Sequence, residues 1–118
     1  MRPASSFTNV FLHRDRVDFR KWIDGLVAIV QADMKLDPFK SYVFAFTNRR
    51  RDKIKVLYWD RTGYAIWYKR LEEHRFQWPR KSETQVVMLT PQQLEWLLDG
   101  YDITRMHPHE DLRYATNF

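Results

Sequence analysis

Cysteine is absent from the 118 residues, so neither a disulfide framework nor a thiolate zinc site can be built. That suits a reducing compartment, and a cytoplasmic location is the expectation. Glycine occurs only three times, and no glycine-rich phosphate loop can be assembled from them. No window approaches eighteen consecutive apolar residues, and the opening stretch "MRPASSFTNVFLHRDR" lacks the apolar centre of a signal peptide. The reading is a soluble, unexported chain with no membrane partner and no nucleotide cofactor.

What the chain has in excess is aromatic rings and positive charge. Aromatics make up 16% of the residues, and the formal net charge is +5. The charge is concentrated: residues 49–81 hold eleven basic against four acidic side chains, +7, which leaves −2 for the remainder. A basic middle flanked by mildly acidic ends is the footprint of a polyanionic partner, nucleic acid above all.

Hydrophobic periodicity gives an α+β reading in one domain, with a core over about residues 10–103 and an irregular tail over 104–118. Phe19, Trp22, Ile23, Leu26, Val27, Val30 and Met34 recur at spacings of three and four. They predict one long amphipathic helix, capped by Asp18 and ended near Leu36 by the following Asp37-Pro38 pair. Gly25 within it suggests close approach of another backbone. "NVFLH" reads as an edge strand, and "SYVFAFTN" and "DKIKVLYWD" as two strands of an antiparallel hairpin joined through residues 48–52. "DRTG" has the residues of a type I turn. "YAIWYKRLEE" fits a helical turn in part, but its aromatic and β-branched content favours a third antiparallel strand. "TQVVML" adds a short strand. Thr90, Pro91 and Gly100 then bracket a short C-terminal helix. The expected architecture is an antiparallel sheet of four to five strands packed against the two helices.

Candidate chemistry is sparse. Asp15, Asp18, Asp24, Asp52 and Asp60 are the carboxylates from which a divalent-metal site would have to be drawn, yet each has a simpler use in a turn, a cap or a polar helix face. "HPHED", residues 107–111, has zinc-ligating side chains, but His13 and His74 are isolated, and a solvated tail is the simpler reading. No catalytic, cofactor or metal residues are assigned. The basic hairpin is different. Arg49, Arg50 and Arg51 at its tip, with Lys53 and Lys55 beyond it and Lys69, Arg70 and Arg75 beside it, are the candidate DNA-contacting residues. Tyr58, Trp59, Trp67 and Tyr68 either stack on unpaired bases or are core; core is favoured.

The run "VDFRKWIDGLVAIV", then "DPF", then "VFAFTNRRRDKIKVLYWDRTGYAIWYKRLEEHRFQWP", closed by "LTPQQLEWLLDGYDI", resembles the small accessory protein called TnpB of the bacterial insertion-sequence family numbered sixty-six. The resemblance implies a protein encoded beside a larger transposase that carries the catalytic acidic residues. It implies DNA and that transposase as partners, and no catalysis by the small protein itself. His74 stands where the family often has glycine, so either His74 adopts a positive φ or the turn differs. Two functions follow: an accessory factor that binds DNA through residues 49–55, or a module that docks on the transposase through Trp59, Trp67 or Trp78.

Overall fold

Along the chain run β1 (Asn9–His13), α1 (Ile23–Ala32), β2 (Tyr42–Thr47), β3 (Lys53–Asp60), β4 (Gly63–Arg70), β5 (Val86–Leu89) and α2 (Pro91–Leu98), followed by a 3₁₀ turn, Ile103–Arg105. This computed structural model describes residues 6–105. "HPHED" lies outside the described residues. The strands form one sheet in the order β4-β3-β2-β1-β5, so the protein is a single α+β domain.

The sheet is mixed, not wholly antiparallel. β1 and β2 pair in parallel, Asn9 opposite Tyr42 and Leu12 opposite Ala45, while every other pairing is antiparallel. A strand, a helix and a strand in succession need a crossover connection, and a parallel pair is its usual product. β1 is consequently an interior strand, with β5 forming the edge beyond it.

Both sheet faces are covered. Phe11, Phe44, Phe46 and Leu57 meet Leu26 and Val30 of α1 on one side. Val10, Leu12, Val43, Ala45, Ile54 and Val56 meet Leu94, Leu97 and Leu98 of α2 on the other, joined by Phe76 and Trp78 from the β4–β5 connection. Each fully buried aliphatic side chain contributes roughly 1.5–3 kcal/mol, so the two helices clamp the sheet independently.

α2 begins and ends as its residues dictate. Thr90 and Gln93 exchange a reciprocal capping box. At the other end the Gly100 and Tyr101 amides donate to the Leu97 and Trp96 carbonyls, with Gly100 at φ +92°, which is a Schellman ending.

α1 is shorter than its stripe predicts. Asp18 does not cap it; its carboxylate accepts from the Arg20 amide and pairs with the Arg20 guanidinium. The helix starts only after Trp22, because Lys55 takes the carbonyls that an earlier start would need. Its Nζ donates to the Phe19 and Lys21 oxygens, both at 2.8 Å, and lies 4.5 and 4.7 Å from the Phe19 and Trp22 ring centroids. In a continuing helix those two oxygens would accept from residues four further on. Gly25 faces the Lys21 side chain rather than another backbone: an added Cβ would stand 2.9 Å from the Lys21 Cβ. At the far end of α1, His13 Nε2 lies 2.6 Å from the Asp33 carboxylate, and its Nδ1 donates to the Asp15 carbonyl. The helix is thus tied to β3 at its start and to β1 at its end.

The turn at residues 60–63 is not type I, since Arg61 has φ +59° and both central φ angles of a type I turn are negative. His74 is not among the residues with positive φ, so the turn differs from one that needs glycine there.

Lys55→Met is expected to destabilise the protein by about 2 kcal/mol, because two carbonyls lose their donor, with amide exchange rising first at Asp24 to Leu26. Burial, and then Lys53, hold the Lys55 amine below the usual lysine range, so protonation opposes folding. Wild-type stability therefore rises with pH between that lowered value and the ordinary one, and the deficit of the variant, read by denaturant titration, widens over the same window.

Candidate nucleic-acid interface

Because β1 and β2 are parallel, both deliver their carboxyl ends to the same side of the sheet. The Val17 amide donates to the Thr47 carbonyl at 2.9 Å, which sets the segment after β1 beside the segment after β2. β3 runs antiparallel to β2, so the hairpin tip lies on this side too, and β4 closes there with Arg70 opposite Lys53.

Side chains of the tip fix its shape. Asn48 donates to the Asp52 carboxylate at 2.7 Å and accepts from the Lys53 amide at 3.1 Å, and Thr47 Oγ1 donates to the Lys53 carbonyl. Arg51 sits in the left-handed region at φ +58°, where glycine would be free of strain. Its carbonyl accepts from the Phe76 amide at 2.7 Å. The β4–β5 connection is held to the tip by that bond and by Trp78, only 6% exposed, whose indole N–H donates to the His13 carbonyl. Arg75 and Arg80 are thereby brought against Arg51.

The result is a cleft of about 350 Å³ lined by Arg14, Asp15, Arg16, Thr47, Asn48, Arg49, Arg51, Trp78 and Arg80. A second depression of about 300 Å³ shares Arg16 and Arg49 with it. A third, also about 300 Å³, shares Trp78 and Arg80 and continues to Lys81 and Arg105. The three adjoin along the end of the sheet, the arginines at the centre and the carboxylates of Asp18 and Asp102, paired with Arg20 and Arg105, on the flanks. Arg14 is paired with Asp15, and the two hold each other charged. Arg16, Arg49, Arg51 and Arg80 have no carboxylate partner among the described residues. Burial, then Arg80 and Arg75, push the Arg51 guanidinium below its usual value, which is the response of a cation among cations.

The predicted DNA-contacting residues separate into those at this groove and those elsewhere. Arg49 and Arg51 line it, Arg50 shares their tip, and Arg75 and Lys53 stand at the same end of the sheet. Lys55 does not belong: it is 3% exposed and committed to the α1 approach. Lys69 is on the opposite sheet face, its Nζ donating to the Leu98 carbonyl at the end of α2, where a cation meets the negative end of the helix dipole. Arg70 pairs with Glu72. Arg14, Arg16 and Arg80 belong to the groove although the charge-rich hairpin alone did not single them out.

The aromatic residues divide likewise. Tyr58 is buried, Trp59 and Trp67 are half-buried, and Tyr68 is exposed. Trp78 is not an exposed docking residue. The candidate carboxylates are dispersed, and among the described residues no three metal-ligating side chains gather at one point. No helix of the described residues is long and apolar enough to cross a membrane.

Residues 8–108 match the family described as IS66 Orf2 like protein. The chain is 33% identical over 113 residues to the uncharacterized protein y4hO of Sinorhizobium fredii, covering 96% of each chain. It is 34% identical over 90 residues to the uncharacterized protein y4jC of the same organism, covering 76% of each. No solved structure matches.

Arg51→Gly separates backbone from charge. It is expected to leave thermal stability unchanged or raise it by up to about 1 kcal/mol, since the left-handed strain disappears. Arg51→Ala keeps that strain and is expected to melt below the glycine variant in the same calorimetric scan.

Proposed function

The chain belongs to the IS66 Orf2-like family of insertion-sequence transposition proteins, and on that premise we propose that it is a non-catalytic accessory factor that grips the DNA backbone. The grip is the groove at the carboxyl ends of β1 and β2. The observation that supports this most is the unpaired set Arg16, Arg49, Arg51 and Arg80 around one concavity. Surface arginines that only confer solubility gain nothing from being held together, since like charges repel. A run of phosphates turns that repulsion into attraction and releases counterions.

Contact is to phosphates and not to bases. The neutral polar groups of the cleft, Thr47, Asn48 and the Trp78 indole, already serve the backbone or Asp52. Among the described residues that line it, the one aromatic side chain, Trp78, is buried. Sequence-tolerant binding of this kind suits a factor that holds DNA for a separate transposase to cut and join.

A second reading, docking on that transposase, is supported at the other end of the molecule. Phe39 is 57% exposed and packs its ring 5.0 Å from Trp59 and 5.7 Å from Tyr64, the composition of an interface anchor. Phe39→Ser is expected to weaken co-purification with the transposase in the absence of DNA and to leave DNA affinity unaltered.

The DNA reading is tested by titrating a duplex at several salt concentrations. With about six phosphates contacted, log affinity falls against log salt with a slope of about −5. The Arg49→Glu/Arg80→Glu double variant is expected to bind more than about tenfold more weakly at 0.15 M salt, whereas Lys40→Glu, before β2 at the opposite end, changes affinity less than about twofold. Salt-independent binding, or equal losses at both ends, contradicts the reading.

A further inference from the structure

The cleft between Arg14, Arg16, Arg49, Arg51 and Arg80 is more than one more stretch of basic surface. Its lining offers mainly donors. Asp15, its one acidic residue, is taken up by Arg14, which spends its remaining nitrogen on the Ser82 carbonyl. Asn48 and Thr47 are committed to the hairpin. What remains unpaired, among the described residues, is four guanidinium groups. A base edge presents donors as well as acceptors and would leave its own N–H groups unmatched there. A phosphate presents acceptors alone and suits the paired N–H geometry of arginine.

Charge and size narrow the ligand further. A backbone diester carries one negative charge and two unbridged oxygens. A phosphomonoester carries about −1.5 to −2 at neutral pH and three acceptor oxygens. Four unneutralised cations converging on one concavity favour the more highly charged group. The volume of about 350 Å³ lies at the small end of the range for small-ligand sites. It has room for one terminal phosphate group. The adjoining depression at Lys81 and Arg105 provides the continuation along which the rest of a strand would lie, whereas the one on the other side adds only Val17 and Asp18. Arg51 is held at φ +58°, a conformation that glycine would adopt freely; an arginine there places a guanidinium at the cleft wall despite the strain.

We infer that this cleft holds a phosphomonoester, the phosphate at the end of a nucleic-acid strand, so that the protein binds DNA ends in preference to continuous duplex. The inference rests on the DNA-binding reading above. The chemistry of the ligand is that of any phosphomonoester; the strand end is its source here because the basic lining continues past the cleft to Lys81 and Arg105.

The test compares one duplex sequence prepared with 5′-phosphate, 3′-phosphate or hydroxyl ends, and as a closed circle without ends, with adenosine monophosphate and inorganic phosphate measured separately. A phosphorylated end is expected to bind at least about tenfold more tightly than hydroxyl ends or the circle. Arg16→Gln and Arg80→Gln, both exposed, are each expected to weaken binding of every DNA form and to bring the phosphorylated and hydroxyl-ended duplexes to equal affinity; a preference that survives both variants overturns the inference. Millimolar inorganic phosphate should erase it in the wild type. Equal affinity for all four DNA forms, with the steep salt dependence intact, overturns the inference and leaves the DNA-binding reading standing. Adenosine monophosphate binding as tightly as the phosphorylated duplex also overturns it, because the ligand is then a free nucleotide. Failure of every DNA form to bind overturns both.

Discussion

Parallel strands cannot be joined by a tight turn, so pairing β1 with β2 sends the chain out through α1 and back, and leaves two carboxyl ends side by side. Most of the arrangement follows from that constraint. The segment after β1 carries Arg14 and Arg16; the segment after β2 opens the arginine tip. An antiparallel pairing would have sent these two segments to opposite ends of the sheet. The β4–β5 connection is then drawn across the same end, because Phe76 and Trp78 bury beneath it and the Trp78 indole reaches the last residue of β1.

Buried polar anchors hold this end rigid. Lys55 closes the approach to α1, His13 ties the end of β1 to the end of α1, and Trp78 ties the β4–β5 connection to β1. Each is itself buried and spends its polar atoms on a backbone or carboxylate oxygen of another segment. The arginines of the groove are therefore presented by short segments fixed at both ends. Less conformational freedom remains to be lost when a ligand binds, which is the advantage of preorganisation.

Local signals in the sequence were legible where the structure is locally determined. Thr90, Pro91 and Gly100 mark α2 because a cap and a Schellman ending depend only on neighbours, and the hairpin from β2 to β3 follows from its alternation and short loop. The start of α1 was not legible, because the lysine that takes the Phe19 and Lys21 carbonyls lies more than thirty residues later. Lys55 and Lys69 counted as surface charge for the same reason: nothing in their neighbours reports that each ends on a backbone carbonyl. The arginine tip was visible as a tip. Its partners Arg14, Arg16 and Arg80 were not, since only the parallel pairing and the buried Trp78 bring them to it; the strand-helix-strand order of β1, α1 and β2 was the one signal that could have found the first two.

Whether DNA is met at the carboxyl ends of β1 and β2 is read most directly by residue-resolved NMR of the labelled protein titrated with a short duplex. Shift changes are expected to concentrate at Arg14 to Val17, Asn48 to Asp52 and Arg75 to Lys81, together with the side-chain Nε–H signals of Arg16, Arg49, Arg51 and Arg80. Changes concentrated instead along the open edge of β4 or around Phe39, Trp59 and Tyr64, with the arginine signals unmoved, would contradict it.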